Sequence, residues 1–132
     1  KRNEANPSGQ DAQNDSEYSV EALFPQRSAI RSLYEKLKNI ILSIDSTLEE
    51  APRLNYVAYK TGKRNTVSLW PKSNWIEIVL NAKLGQLNDD NGFIYDISNR
   101  KWSSEQYALK FFEDTDIEAT RGLIKQVLDL KK

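Results

Sequence analysis

The chain has 132 residues, and its 19 basic and 19 acidic side chains give a formal net charge of zero. This length fits one domain, and 39% hydrophobic residues can bury one modest core. Cysteine and histidine are both absent, which excludes thiol nucleophiles, imidazole bases, Ser-His-Asp triads and nearly every zinc site. Carboxylate chemistry, Lys or Ser nucleophiles and oxygen-ligated cations stay open, but we expect no catalytic residues, no metal and no cofactor.

Residues 1–17 are rich in Asn, Gln, Ser and acidic residues and contain no aromatic or β-branched side chain. Such a segment cannot offset the entropy of being ordered, so we expect a disordered linker, followed by one folded domain over residues 18–132. The chain begins at Lys1 and contains no methionine, which we interpret as a fragment of a longer protein. No apolar run approaches the roughly 20 residues that span a bilayer, and we expect a cytoplasmic protein without membrane contact.

The first regular element is an amphipathic helix from Ala29 to Ile44, with Ser28 placed to cap its start. Its apolar residues recur at spacings of three and four, while charged residues take the other face. The apolar positions are Ile30, Leu33, Tyr34, Leu37, Ile40, Ile41 and Ile44.

Three strand-like segments follow, "NYVAYK", "TVSLW" and "WIEIVLN", separated by the turn sequences "TGKRN" and "PKSN". They predict an antiparallel meander. A period of two assigns its residues to two faces: Val67, Leu69, Ile76, Ile78 and Leu80 to one, and Trp75, Glu77 and Val79 to the other.

"QYALKFF" predicts a fourth strand, and "TDIEATRGLIKQVLDL" predicts a closing helix. Thr115 and Glu118 have the spacing of a capping box at the start of that helix. The order of elements predicts a two-layer α+β domain, with an antiparallel sheet of about four strands and both helices on one face. The inward positions of the closing helix are Ile117, Leu123, Ile124 and Val127.

The connection over residues 82–104 is too long for a structureless loop in a compact domain. Within it, "DDNGFIYDI" predicts a short helix capped by Asp89 or Asp90. The segment does not fit the calcium-binding loop of an EF-hand. When Gly92 is aligned with the invariant glycine of that loop, Leu87 and Ser98 fall where acidic ligands are required. Paired carboxylates for hydrolysis find little support, since adjacent acids in polar loops usually serve turns and caps.

Residues 53–75 contain five basic residues and no acid. The aromatic residues Tyr56, Tyr59, Trp70 and Trp75 are interleaved with them, and this combination can supply phosphate contacts and stacking surfaces for nucleic acid. Arg53 belongs to this basic segment. The candidate nucleic-acid-binding residues are Lys60, Lys63, Arg64, Lys72 and Trp75.

Two other functions stay open. The strand of Trp75 and the loop around Trp102 could dock a partner domain or a second copy, because aromatic residues near Arg are typical of interface hot spots. Alternatively, the long connection could form a pocket for an anionic ligand, in which Lys60 meets Asp96. The pocket or interface candidates are Tyr59, Asn81, Asp96, Asn99, Trp102 and Tyr107.

"YVAYK", "VLNAKLGQLNDDNGFIYDISNRKW" and the Tyr of the following strand resemble the uncharacterised prokaryotic family called domain of unknown function 5655, over roughly residues 18–129. Some members are labelled predicted transport proteins, and such domains often lie C-terminal to nuclease-like or restriction-associated domains. The activity of the family is not established, but the usual position of such domains implies the C-terminal domain of a larger protein, with an upstream domain as partner. Together with the absence of Cys and His and with the basic segment over residues 53–75, this favours a non-catalytic accessory binding module that contacts nucleic acid. Members usually carry a His and glycines near the Trp, whereas "RKWSSEQY" has neither. The matching positions are Tyr59, Lys60, Asn81, Lys83, Gly85, Leu87, Asp90, Gly92, Asp96, Ser98, Asn99, Trp102 and Tyr107.

Overall fold

The computed structural model describes residues 18–83, 85–90, 92–100 and 107–131. The predicted linker over residues 1–17 lies outside them. The predicted α+β class, an antiparallel sheet with an N-terminal and a C-terminal helix, is confirmed, but the sheet has six strands rather than about four. The helices are α1 (Val20–Leu23), α2 (Arg31–Ile44) and α3 (Ile117–Leu130), and the strands are β1 (Glu49–Pro52), β2 (Val57–Thr61), β3 (Arg64–Pro71), β4 (Ile76–Leu80), β5 (Ile94–Asp96) and β6 (Tyr107–Phe111).

The strands lie in the order β1-β2-β3-β4-β6-β5, and every neighbouring pair is antiparallel. The two strands that the sequence did not predict, β1 and β5, form the two edges of the sheet. β1 has the sequence "EEAP", whose acids and proline are poor strand formers. A proline is tolerated there because an edge strand leaves one side of its backbone without ladder hydrogen bonds.

The predicted short helix within "DDNGFIYDI" is wrong, because Ile94–Asp96 forms strand β5 and pairs with Leu109 to Tyr107 of β6. Gly92 adopts a left-handed φ of 69° just before the strand, which does not fit a continuous right-handed helix. Asp89 does make a side-chain hydrogen bond near the start of this element. Its carboxylate accepts from the N–H of Ile94, the first residue of β5, at 2.8 Å, and does not cap a helix.

The main core lies between the helices and one face of the sheet. The predicted inward set, Val67, Leu69, Ile76, Ile78 and Leu80, is buried there together with residues of α2 and α3. We call the opposite side the open face, because none of the described helices packs on it. It holds a smaller cluster in which Val79, Ile97 and Ala108 are buried against partly buried Trp70 and Tyr95.

The two long helices begin later than the sequence predicted. α2 starts at Arg31 without a side-chain cap, while the Ser28 hydroxyl donates to the Pro25 carbonyl at 2.7 Å. The predicted capping box of α3 is also wrong, because the N-cap is Asp116, whose carboxylate accepts from the Ala119 N–H. Thr115 instead accepts from the Phe112 N–H at 2.7 Å and closes the turn before the helix.

Leu69→Ala should lower the free energy of unfolding by about 2–5 kcal/mol, because Leu69 is fully buried in the main core. Leu54→Ala is the matched control, since this leucine is 68% exposed and its truncation should change the free energy by no more than about 0.5 kcal/mol. Urea unfolding followed by circular dichroism measures both. Similar losses in the two variants would contradict the assigned core.

Candidate nucleic-acid interface

Several connections meet at the end of the sheet where β3 stops and β4 begins, which we call the turn end. Antiparallel pairing places Pro52 beside Val57, Pro71 beside Ile76, and Ile76 beside Phe111. The β1–β2 turn, the β3–β4 turn and the exit of β6 are therefore brought together there. Aromatic residues that are far apart in sequence become neighbours as a result.

Two stacked aromatic pairs lie on the open face at this end. Tyr56 stacks on Trp70 with ring centroids 4.5 Å apart, and the indole N–H of Trp70 donates to the Ser68 hydroxyl at 3.0 Å. Trp75 stacks on Phe112 at 5.6 Å. Phe112 is 37% exposed, although it is apolar, so this second pair offers ring surface to solvent.

Lysine side chains from two different strands flank the second pair. The Lys72 ammonium lies 5.9 Å from the centroid of the Trp75 ring, and the Lys110 ammonium lies 5.3 Å from it, distances at which a cation is attracted by the ring. Both lysines are exposed, and neither forms an ion pair with another described residue. We call Lys72, Trp75, Lys110 and Phe112 the aromatic–lysine site.

Glu77 is the buried charge beneath this surface, between Trp70 of β3 and Lys110 of β6. Its side chain is only 4% exposed. The Arg100 guanidinium donates to both carboxylate oxygens at 2.9 Å, and the Tyr95 hydroxyl donates a short hydrogen bond. Burial by itself would raise the pKa of Glu77, but the hydrogen bonds from Arg100 and Tyr95 hold that pKa below its ordinary value.

The paired Glu77 therefore remains ionised, and Arg100 balances its charge locally. Burial, reinforced by the hydrogen bond to Glu77, raises the pKa of Tyr95, so its hydroxyl stays protonated and continues to donate. The positive charge of Lys72 also contributes to lowering the pKa of Glu77, but Arg100 makes the direct ion pair. No sequence pattern indicated roles for Tyr95, Arg100, Lys110 and Phe112. The acid Glu77 inside the apolar run "IEIVL" was a signal of a buried pair.

A partly buried carboxylate stabilises the opposite edge of the sheet. Glu50 of β1 accepts from the hydroxyls of Tyr34 at 2.6 Å and Tyr59 at 2.7 Å, with the Lys38 ammonium at 3.5 Å. Burial, followed by the interaction with Glu50, raises the pKa of both tyrosines. These contacts attach the edge strand β1 to α2. Tyr59, a candidate pocket residue, is fully buried in this arrangement.

The basic segment over residues 53–75 does not form one patch. Lys63 and Arg64 are exposed in the β2–β3 hairpin, at the opposite end of β3 from Lys72. β3 has eight residues, so at ~3.3 Å per residue about 26 Å separates these two groups. Lys60 lies opposite Glu49 in the sheet, and this neighbour reduces its local positive potential.

The predicted pocket residues do not converge. Lys60 is on β2 and Asp96 is on β5, with β3, β4 and β6 between them. At ~4.8 Å per strand they are roughly 19 Å apart, and the hypothesised ion pair between them is wrong. Tyr59 faces the helices, whereas its neighbour Lys60 is outside the main core.

The remaining candidates have local roles. Asp96 is exposed, and hydrogen bonds from the Ser98 hydroxyl and N–H lower its pKa. The Asn81 amide donates to the Asn65 carbonyl, and the Tyr107 hydroxyl accepts from the Gly85 N–H at 3.0 Å. Asn99 is exposed in a turn. Trp102 lies outside the described residues.

No family model matches this chain, and no solved structure matches it. The chain is similar to an uncharacterized protein of Haemophilus influenzae, with 29% identity over 100 residues. The match covers 75% of this chain and 33% of that protein, so the chain spans about a third of the length of the curated relative. Among the described residues, no helix combines the length and apolar character required to cross a bilayer.

Glu77→Gln should lower the free energy of unfolding at pH 7 by about 2–3 kcal/mol, because Arg100 would be left partly buried without its counter-ion. The pKa of Glu77 is lowered in the folded state. The wild-type advantage should therefore be complete above the ordinary value of 4.5 and decrease as the pH falls below it through the folded-state pKa. Urea unfolding at several pH values measures this. A difference between the two proteins that does not change with pH would contradict the ion pair.

Proposed function

We propose that this domain is a non-catalytic accessory module that binds single-stranded nucleic acid at the aromatic–lysine site. The observation that carries the proposal is Trp75, a half-buried ring that stacks on Phe112 and has two lysine ammonium groups beside it. An aromatic surface can stack with any base, because every base has a π face. The adjacent ammonium groups suit the phosphates on either side of a stacked base.

The position of the site on the sheet supports this function. Trp75 and Lys72 come from the β3–β4 turn, whereas Lys110 and Phe112 come from β6 and its exit. β4 and β6 are paired along their length, so these groups are attached to a rigid ladder and lose little entropy on binding. A duplex carries its bases inside the stack, so the partly exposed rings of Trp75 and Phe112 favour a single strand.

Electrostatics predicts moderate affinity with a modest dependence on salt. The chain has zero net charge, so it offers no long-range attraction to a polyanion. Binding must depend on local contacts with Lys72 and Lys110, while Glu113 and Asp114 lie near the same end of the sheet and oppose it. Non-specific protein–DNA affinities fall at about 10⁻⁴–10⁻⁶ M at physiological salt, and we expect this range here.

A second candidate function is docking to another part of a longer protein. The chain corresponds to a third of the Haemophilus influenzae protein, and Phe112 and Leu54 expose apolar surface near the turn end. The resemblance to the domain of unknown function 5655 supports an upstream partner of the nuclease-like kind. Such docking would bury apolar surface and depend little on salt.

Trp75→Ala should weaken binding of a fluorescent single-stranded DNA oligomer by about 1–3 kcal/mol, the usual value of one stacked base. The double variant Lys72→Gln, Lys110→Gln should reduce the slope of log affinity against log salt by about 1.4, because each phosphate contact to a single strand contributes roughly 0.7. Fluorescence anisotropy between about 50 and 200 mM salt measures both effects, and circular dichroism checks that the variants are folded.

The matched control is Lys63→Gln, Arg64→Gln, which removes the same charge from the far end of β3. For this control, the slope of log affinity against log salt should differ from the wild-type slope by less than half the contribution of one phosphate contact. An equal decrease of this slope in both double variants would show that binding depends on net charge rather than on contacts at this site. If Trp75→Ala binds DNA as tightly as the wild type, the stacking surface is rejected. If the wild type binds no DNA but binds a protein partner that Trp75→Ala does not bind, docking is favoured.

A further inference from the structure

A cleft of about 450 Å³ adjoins the aromatic–lysine site, within the range of about 300–1,000 Å³ typical of small-molecule sites. It opens where β5 begins, because the pairing of β5 with β6 extends only to Ile94 and Leu109. Residues 92–93 lie on one side of the cleft, and the 114–116 turn before α3 lies on the other. Lys110 lines this cleft and also lies beside the Trp75 ring.

The cleft combines an aromatic wall, a cation and a carboxylate with unused acceptors. Phe93 lines the cleft and is 37% exposed. Asp114 is exposed and makes no hydrogen bond or ion pair with the described residues. The other carboxylate, Asp116, has one oxygen engaged by the Ala119 N–H, so Asp114 is the acceptor available to a ligand.

We propose that this cleft receives a guanine base of the strand whose neighbouring base stacks at the aromatic–lysine site, an inference that rests on the proposed function. A carboxylate is an acceptor-only group with two oxygens, which suits a pair of parallel N–H donors. The Watson–Crick edge of guanine presents two such adjacent donors, N1–H and the N2 amino group. Proteins that recognise unpaired RNA bases in a sequence-specific way form hydrogen bonds with their Watson–Crick and Hoogsteen edges.

The other bases fit this carboxylate less well. Cytosine and adenine each offer one amino group beside an unprotonated ring nitrogen, whose lone pair would face the second carboxylate oxygen. Thymine offers one N–H between two carbonyls. Lys110 lies between the cleft and Trp75, and its ammonium suits the phosphate that joins the guanine to the stacked base.

The test uses fluorescence anisotropy of the whole chain with a short labelled thymidine oligomer and with three relatives that carry one central guanine, adenine or cytosine. The wild-type protein should bind the guanine oligomer about tenfold more tightly than the thymidine oligomer, as expected for one bidentate base contact. Asp114→Asn should abolish this preference while retaining affinity for the thymidine oligomer, because an amide presents one acceptor and one donor instead of two acceptors.

Glu113→Gln is the matched control, since it removes the same charge one residue away and does not line this cleft. It should keep the guanine preference. Equal binding of all four oligomers by the wild type, or an unchanged preference in Asp114→Asn, would overturn the guanine cleft and leave stacking at Trp75 intact. Loss of the preference in both acidic variants would also overturn it. Absence of binding to every oligomer at low salt would overturn the proposed function as well.

Discussion

The buried ion pair between Glu77 and Arg100 controls the open face of the sheet. A carboxylate removed from water costs several kcal/mol unless it is fully paired, and Glu77 is the second residue of β4, the strand between β3 and β6. Arg100 supplies the bidentate partner from the segment that follows β5, and Tyr95 supplies a further donor from β5 itself. The pair thus attaches the short edge strand and its continuation to the centre of the sheet.

This attachment has consequences for packing and for charge. The ion pair holds Ile97 against Val79 and Ala108. Part of the open face is therefore shielded from solvent, even though none of the described helices covers it. The ion pair also neutralises an acid that would otherwise lie beside the lysines of the aromatic–lysine site. Glu50 has a comparable role at the other edge, where it accepts from the Tyr34 hydroxyl of α2 and from the Tyr59 hydroxyl of β2. Each edge strand is therefore held in place by a carboxylate that accepts hydrogen bonds from another element of the fold.

Much of the fold could be predicted because periodicity reports burial directly. The alternation of Val67 and Leu69, and of Ile76 to Leu80, correctly assigned the helix-facing side of the sheet. The helical spacing from Leu33 to Ile41 likewise identified the buried face of α2. The edge strands could not be predicted, because β5 has three residues and β1 is half acidic. Such short segments become strands by pairing with a neighbour rather than by their own propensity.

The sequence by itself determined the α+β class, the two long helices, the inward faces of the central strands and the absence of thiol and imidazole chemistry. These properties follow from residue type and local spacing. The tertiary structure decided which charges and rings become neighbours: it separated Lys63 from Lys72 along β3, separated Lys60 from Asp96 across the sheet, and joined Trp75 to Phe112 and Lys110. The physical reason is that strand order and register place residues distant in the chain within contact, and one sequence does not encode that order in any local pattern.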